Sequence, residues 1–338
     1  MTASSLSLLI IADRGWANQR ELRTSSVSAN WQVSSAGRLS ATIATRDAWL
    51  QGIDDYLDKW VLWVHPLMGA WGGRVEDVAV SFSRGTLEIS CSSFAAAMKK
   101  RRTAKRYGQA SGPPGSLVLR AMTDLSVRDL PFTTRKADTS GNPVSVQWRG
   151  DDLYSLVSRL ANHGDMQFDV TVDPDTLTID FEFRAQTGSD KSGSVCLIEG
   201  YQIADGSIVT SSARRVNDIL AVSGEQPWDS ATSAAVLDGP SIRDHGRYQE
   251  TRTYYGFSSP SALANRARVE LQTLKNSQIP MSLRLSDRDP QLADFIQGDT
   301  IRVVSHSMNA EYLLSVTGRA VNASTGVVTI VGDAEVST

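Results

Sequence analysis

Between Val27 and Phe94, apolar residues recur mostly at every second position. Val27, Ala29, Trp31 and Val33 alternate with polar neighbours, Ser34-Ser35-Ala36-Gly37 signals a turn, and Leu39, Ala41 and Ile43 resume the rhythm. A period of two buries one face of a strand, so this stretch predicts a half-buried hairpin. A second hairpin is predicted by Val78, Val80 and Phe82, the turn Ser83-Arg84-Gly85, and then Leu87, Ile89 and Cys91. Gly69, Gly72 and Gly73 around Trp71 predict a bulge or a close backbone approach. Short strands separated by Gly-rich turns predict a small barrel or sandwich.

The pattern changes at Ser92-Ser93, the expected N-cap of a short helix through Met98. Gly112-Pro113-Pro114-Gly115 reads as a loop, with Ser116 capping a helix that carries Leu117, Val118, Ala121 and Leu125 on one side. Val144, Val146 and Trp148 predict a strand. The clearest helix has Asp151 as N-cap, Leu153, Leu156, Val157 and Leu160 as its apolar stripe, and Gly164 just past its end. Phe168, Val170 and Val172, then Leu177, Ile179, Phe181 and Phe183, predict a hairpin directly after it. Further on, strands are expected at Val195–Ile198 and Val216–Val222, with Asp205-Gly206 as a turn. A helix is expected from Pro260 to Asn276, lined by Leu263, Ala267, Leu271 and Leu274. The remainder alternates again: Leu283 and Leu285; Ile301 and Val303; Leu313, Ser315 and Thr317; Val327, Thr329 and Val331.

These elements predict an α+β chain that is mainly β, with two small β-barrels and α/β insertion domains between them. The expected divisions are residues 1–93 for the first barrel, 94–190 for an α/β insertion, 191–280 for strands plus a helix, and 281–338 for the second barrel. The strand at 214–224 is a candidate member of that second barrel. No short-period repeat is evident.

Composition narrows the function. With 41% hydrophobic and 21% charged residues in 338, the chain is expected to fold throughout. A formal net charge of -3 gives no global attraction to nucleic acid or anionic lipid. Cys91 and Cys196 stand far apart, as two thiols kept reduced would. The apolar run Leu6–Ala12 has no basic residue before it and reads as neither a secretory signal nor a span. No other apolar run is long enough to cross a bilayer.

Catalytic and metal patterns are weak. His65, His163, His245 and His306 are scattered, lack the paired spacing of a zinc site, and are expected at the surface or in loops. Asp287 and Asp289 flank Arg288 without the ligand series of a calcium loop. Ser241, Asp244 and His245 are close in sequence, but neighbours on one extended segment do not point at one another as a triad must. Trp31, Trp49, Trp60, Trp63 and Trp71 could stack on sugars if exposed, and are expected in the core or an interface. The basic run Lys99, Lys100, Arg101, Arg102, Lys105 and Arg106 is the strongest local charge feature, readable as a solvated helix end or as a dock for DNA phosphates or an acidic subunit, with the helix end or a protein partner favoured because the run lacks interleaved aromatics.

One series of motifs is more specific. Val216-Asn217 opens a strand ending at Val222-Ser223-Gly224; Asp238 and Ser241-Ile242-Arg243-Asp244-His245-Gly246-Arg247 follow. A helix from Ser259 to Asn276 leads to Pro280-Met281-Ser282-Leu283 and Gly298-Asp299-Thr300-Ile301-Arg302-Val303. This order resembles the baseplate-hub family of long-tailed phages, which includes the N-terminal hub domains of siphophage tail-associated lysins. His245 stands where that family usually has Tyr, and Ile301 where Val is common. Trp31 through Ala44, Gly72-Gly73-Arg74-Val75 and Leu87-Ile89-Cys91 are similar to the family's first barrel, and Leu153 to Phe183 to its insertion.

The resemblance implies a structural, non-enzymatic homotrimer without cofactor or metal, located at the virion tail tip and made in the host cytoplasm. Its two barrels would give three copies a pseudo-sixfold ring. Implied partners are a distal-tail or tail-tube ring, the tape-measure protein, tail-tip fibre or spike proteins, and phage DNA in passage. Ser241, Ile242, Gly246 and Arg247 join the basic run as candidate interface residues. The lytic or receptor-binding extension common in the family is expected to be absent. Two alternatives are the hub of a tail-derived injection or gene-transfer particle, and a carbohydrate-binding or glycan-cleaving tail protein.

Overall fold

Seven strands form from the first part of the chain: β1 (Leu8–Ala12), β2 (Arg20–Arg23), β3 (Ser26–Gln32), β4 (Arg38–Ala44), β5 (Trp60–His65), β6 (Gly69–Ser81) and β7 (Thr86–Ser93). The alternation works as expected in the first hairpin, where Val27, Ala29, Leu39, Ala41 and Ile43 are all buried on one face. This computed structural model describes residues 8–45, 54–103, 109–123, 129–140, 143–147, 150–164, 166–185, 188–209, 215–224, 232–254, 259–274 and 279–336. Trp49, Lys105, Arg106, Leu125, Trp148 and Asn276 lie outside the described residues.

An insertion follows, with β8 (Gln109–Gly112), α1 (Pro114–Thr123), β9 (Thr134–Ala137), β10 (Val144–Gln147), α2 (Leu153–Gly164), β11 (Gln167–Val172) and β12 (Ile179–Arg184). It has its own core around Leu156, Leu160, Phe168 and Phe181, shared with Trp60 of the preceding sheet and with Phe94 just beyond its last strand. The chain then returns to the large sheet with β13 (Cys196–Ile198) and β14 (Ile203–Ile208). A separate module comprises β15 (Asp218–Ser223), β16 (Ser233–Leu237), α3 (Gly239–His245), β17 (Gln249–Tyr254) and α4 (Pro260–Leu274). Its core is Ile219, Ala221, Leu263, Ala267 and Leu271. Last come β18 (Ile279–Ser286), β19 (Thr300–Ser305), β20 (Ala310–Asn322) and β21 (Val327–Val336).

Both ends of the chain belong to one mainly antiparallel sheet, in the order β14-β18-β21-β20-β3-β4-β7-β6-β5-β1-β2, with β13 and β19 branching from β20. One core runs beneath it, from Val27 and Trp63 to Leu283, Leu314 and Ile330. Burying a single Leu or Val of that core contributes about 1.5–3 kcal/mol.

Within this sheet a four-stranded unit occurs twice. The order β4-β7-β6-β5 matches β18-β21-β20-β19. β6 and β20 are each 13 residues long. Each carries one register shift at the same place, between Val75 and Asp77 or between Val316 and Gly318. Each turns through four residues into its partner, with Gly85 at φ 59 and Gly326 at φ 65 closing the turns. Leu39, Ala41 and Ile43 take the buried places of Met281, Leu283 and Leu285; Trp71 and Val75 take those of Tyr312 and Val316; Leu87 and Ile89 take those of Val328 and Ile330. The repeat is long-range, and Val75/Val316, Val80/Val321, Gly85/Gly326 and Ile89/Ile330 are among the few identities it retains.

Several local expectations are corrected. The strand expected at 214–224 as a candidate member of the second barrel does not pair with the strands of 281–338: β15 is the centre of its own sheet, between β16 and the parallel β17. In β20 and β21 the buried residues are Tyr312, Leu314, Val316, Val328 and Ile330, the opposite phase from that expected. Both faces of those strands carry apolar residues, so alternation alone could not choose the face. Asp205-Gly206 lies inside β14, at an irregularity, and is not a turn. Asp152 caps α2 by accepting Ser155 N–H at 2.8 Å, while Asp151 pairs with Arg159 at 2.8 Å. Helix α1 begins at Pro114, ahead of Ser116. Gly73 marks a close approach, since a Cβ there would sit 2.2 Å from Ser92 O.

Candidate assembly interface

The basic run starts where the short 3₁₀ helix Phe94–Lys100 ends. Phe94, Ala95, Ala96 and Met98 are buried, which turns Lys99 and Lys100 outward. Lys99 Nζ lies 4.8 Å from the Tyr154 ring centroid, and Lys100 Nζ lies 3.8 Å from Glu76. Arg101 is half-buried and donates to Asp129 O at 3.4 Å; Arg102 is exposed and its backbone bridges Asp152. The run therefore seals the joint between the first sheet and the insertion while presenting cations outside. Exposed pairs of this kind contribute about 0–1 kcal/mol each. Replacing Lys99, Lys100, Arg101 and Arg102 together by Ser is expected to leave a cooperative thermal transition close to that of the parent, and to impair particle assembly; loss of folding would refute the assembly role.

The Ser241–Arg247 turn belongs to a different module. Asp238 caps α3 by accepting Ser241 N–H at 2.9 Å, and Gly246 ends it at φ 83. Asn217, fully buried, holds the turn against β15: its side-chain amide donates to Gly246 O at 2.7 Å and Ser241 Oγ at 3.3 Å, and accepts Tyr248 N–H at 2.7 Å. Arg247 Nε lies 2.8 Å from Asp218 Oδ2, a buried carboxylate. Ser241 and Gly246 are thus engaged inward, while Ile242 stays half-buried and Arg247 is exposed. Asp244 and His245 are exposed at the end of the same helix.

A cleft of about 860 Å³ separates this module from the insertion and the sheet. Its titratable groups are engaged by neighbouring groups. Tyr254 Oη donates to Glu270 at 2.8 Å, Arg252 lies 3.6 Å from Glu270 and 2.9 Å from Glu250, and Arg266 donates to Asn162 O at 2.9 Å. Burial, and then the bond to Glu270, push the Tyr254 hydroxyl well above its usual range. Among the described residues, no group of three His, Cys, Asp or Glu is placed to hold a metal. No described helix is long and apolar enough to cross a membrane.

His65 departs from expectation: it is buried at the end of β5, and its Nδ1 accepts Leu67 and Met68 N–H at 3.2 Å. Burial lowers its pKa. Trp60, Trp63 and Trp71 are buried, and Trp31 is half-buried with its Nε1 donating to Ala70 O at 3.1 Å.

Two groups that tie loops together escaped sequence reasoning, Arg319 and Glu199. Arg319, 2% exposed, donates from Nη1 to Leu292 O at 3.1 Å and Phe295 O at 2.7 Å. Its Nη2 lies 3.5 Å from both Met68 O and Gln297 Oε1. Gln297 in turn donates to Asp169 of β11 at 3.2 Å, so this arginine links both repeats to the insertion. Burial lowers its pKa to about 10, opposed by Asp299 and Asp169. Asp299, from the Gly298-Asp299 motif, is buried and accepts Ile296 N–H at 2.8 Å and Ser189 N–H, fixing the loop before β19.

Glu199 is the second acceptor hub. It takes Ser305 Oγ at 2.7 Å, Ser307 N–H at 3.0 Å and Ser307 Oγ at 2.9 Å, which hold its carboxyl down at about 2. A carboxylate depressed on folding stabilises the fold above its unfolded pKa and loses that contribution as pH falls through the folded value. Glu199→Gln is therefore expected to flatten the dependence of the thermal midpoint on pH between about 4.5 and 2. An unchanged pH profile would refute this.

The sequence matches no known protein family and no curated protein. Solved structures do match. The 43 kDa tail protein of prophage MuSo2 from Shewanella oneidensis superposes with a TM-score of 0.70 at 16% identity, over 96% of this chain and 98% of that one. The chain has the fold of phage tail proteins. The tail protein from Neisseria meningitidis MC58 gives 0.67 at 12% identity, over 97% and 96% of the two chains. The E. coli c3393 protein, a type VI secretion component described as similar to the T4 tail proteins gp27 and gp5, gives 0.56 at 12% identity, over 93% of this chain and 73% of that one. At these identities the likeness is one of fold, and it is the fold to which the motif order pointed.

Proposed function

We propose that this chain is the structural hub of a long-tailed phage's tail tip, where three copies close the tail tube and adapt its sixfold symmetry to threefold tip proteins. The observation that carries this reading is the internal repeat: one chain holds two copies of the same four-stranded unit, so three chains supply six. A ring of that kind needs cyclic, heterologous contacts that close. In this reading each repeat forms one of the two small barrels, the ring meets a distal-tail or tube ring above and fibre or spike proteins below, and the tape-measure protein and DNA pass through it. The chain is a scaffold in this reading, not an enzyme, a reading supported by the engagement of Tyr254, Arg252 and Glu270 with one another in the cleft. Mass photometry of the purified chain and a map of the tail tip test it: three copies with six repeats around a channel are expected, and a monomer absent from any ring would overturn it.

The likeness to a secretion-system component favours a second reading, the hub of a tail-derived injection or gene-transfer particle, with the same ring geometry. Isolating the particle that carries the chain, and asking whether it has a DNA-filled head, separates the two. The glycan-binding alternative is disfavoured by the burial of Trp60, Trp63 and Trp71, and cell-wall fragments are expected to remain uncleaved.

A further inference from the structure

Inside one chain, the two repeats are joined by β3 lying against the second half of β20, with Ala29 opposite Val321 and Ser28 opposite Asn322. Each side of that junction has a counterpart in the other repeat. The second half of β20 corresponds to Asp77–Ser81 of β6, beyond the shared register shift. β3 corresponds to β14: β3 flanks β4 antiparallel, and β14 flanks β18 antiparallel. Val27 faces Ala41 and Gly206 faces Leu283, the equivalent of Ala41, so Val27 maps to Gly206 and Ala29 to Ile208.

Among the described residues, neither counterpart has a strand on the edge that would make the same junction. Val209 spends its N–H on Pro280 O at 3.1 Å, so in the alternating pattern of an antiparallel strand the N–H and C=O of Ile208 face the vacant side. At the internal junction Val33 N–H donates to Thr317 O and Ala323 N–H to Val27 O, which turns the backbone groups of Val321 toward β3. Its counterpart Val80 therefore presents its groups to the vacant edge of β6. The side chains match as well. Val80 and Ile208 are half-buried against the common core, whereas Ala79 and Val209 face out, Val209 at 54% exposure. Phe82, 92% exposed, stands at the end of the same edge. Unpaired, apolar edges are unstable features unless something covers them.

We propose that β14 of one subunit pairs antiparallel with Asp77–Ser81 of β6 in the next, Val80 opposite Ile208 and Ala79 opposite Val209, repeating between chains the junction that β3 and β20 make within one. The occupant of each vacant edge is thus a second copy of this chain. The inference rests on the hub reading for the existence of a ring and adds the surface that closes it.

Ala79 and Val209 would form a non-hydrogen-bonded pair with Cα atoms about 4.5 Å apart, within disulfide range. The test is the double variant Ala79→Cys with Val209→Cys in the full chain, oxidised and run on a denaturing gel without reductant. A covalent trimer reversed by reductant is expected, with each single variant alone remaining monomeric and a mixture of the two singles stopping at dimers. Both positions are exposed, so folding should survive. As a second measurement, Val209→Asp is expected to raise the concentration needed for assembly about tenfold or more, with the thermal transition retained. A parent chain that forms trimers while the double variant yields no cross-link overturns the strand pairing and leaves the hub reading standing. A parent that stays monomeric overturns both.

Discussion

Replacing Arg319 by Met should destabilise the folded chain by about 3 kcal/mol or more. Met fills much of the space but donates nothing, so the carbonyls of Leu292 and Phe295 lose a charged donor in a site closed to water. Each buried acceptor left without a partner costs about 1–3 kcal/mol. The arginine also stacks over Phe295, with its guanidinium carbon 5.5 Å from the ring centroid, a cation–π contact worth about 0.5–2 kcal/mol. Against these gains stands the cost of burying a cation, visible in the lowered pKa, and that cost is why the net loss is set well below the sum of the bonds. Denaturant unfolding followed by tryptophan fluorescence measures it, because Trp63 and Trp71 share the core beneath the sheet. A loss under about 1 kcal/mol would show that the loop before β19 finds other donors.

Asn217→Ala is the second large effect, expected at about 2–3 kcal/mol and confined to the module of β15–β17 and α4. Asn217 is fully buried and serves as donor to Gly246 O and acceptor from Tyr248 N–H, so Ala leaves one backbone carbonyl and one amide orphaned at the junction of strand and turn. The module's core is small, and a loss of this size can open it while the main sheet stays closed. Hydrogen exchange resolves this: protection in β15 and β17 should fall while that in β4, β7, β18 and β21 holds. Uniform loss across the chain would contradict the modular account, and no loss at all would contradict the role given to the asparagine.

These two residues mark different degrees of legibility. Asn217 was visible as part of a motif whose order pointed to the phage tail fold, although the sequence could not say that the motif's Asn, Ser and Gly are tied to one another. Arg319 gave no signal at all. An arginine in a strand of alternating residues reads as exposed, and only the approach of the loops at 66–68 and 290–297 makes it interior. The basic run was legible as a helix end, and the structure adds that it closes a joint between modules.

What the sequence determined by itself were the features set by neighbours along the chain. These include the β3–β4 hairpin, whose apolar residues occur on one face only, and the α2 stripe Leu153, Leu156, Val157 and Leu160. They also include the Ser259-Pro260 start of α4, where a fixed φ and a side-chain cap act locally. The tertiary structure decided whatever depends on which surfaces meet. It chose the buried face of β20 and β21, where both faces carry apolar residues and the inward one is that opposed by the common core. It assigned the strand at Asp218–Ser223 to a separate sheet, because β16 and β17 supply its hydrogen bonds. It also revealed the duplication of the four-stranded unit, since a register shift, a strand order and a shared core are properties of pairing between distant segments.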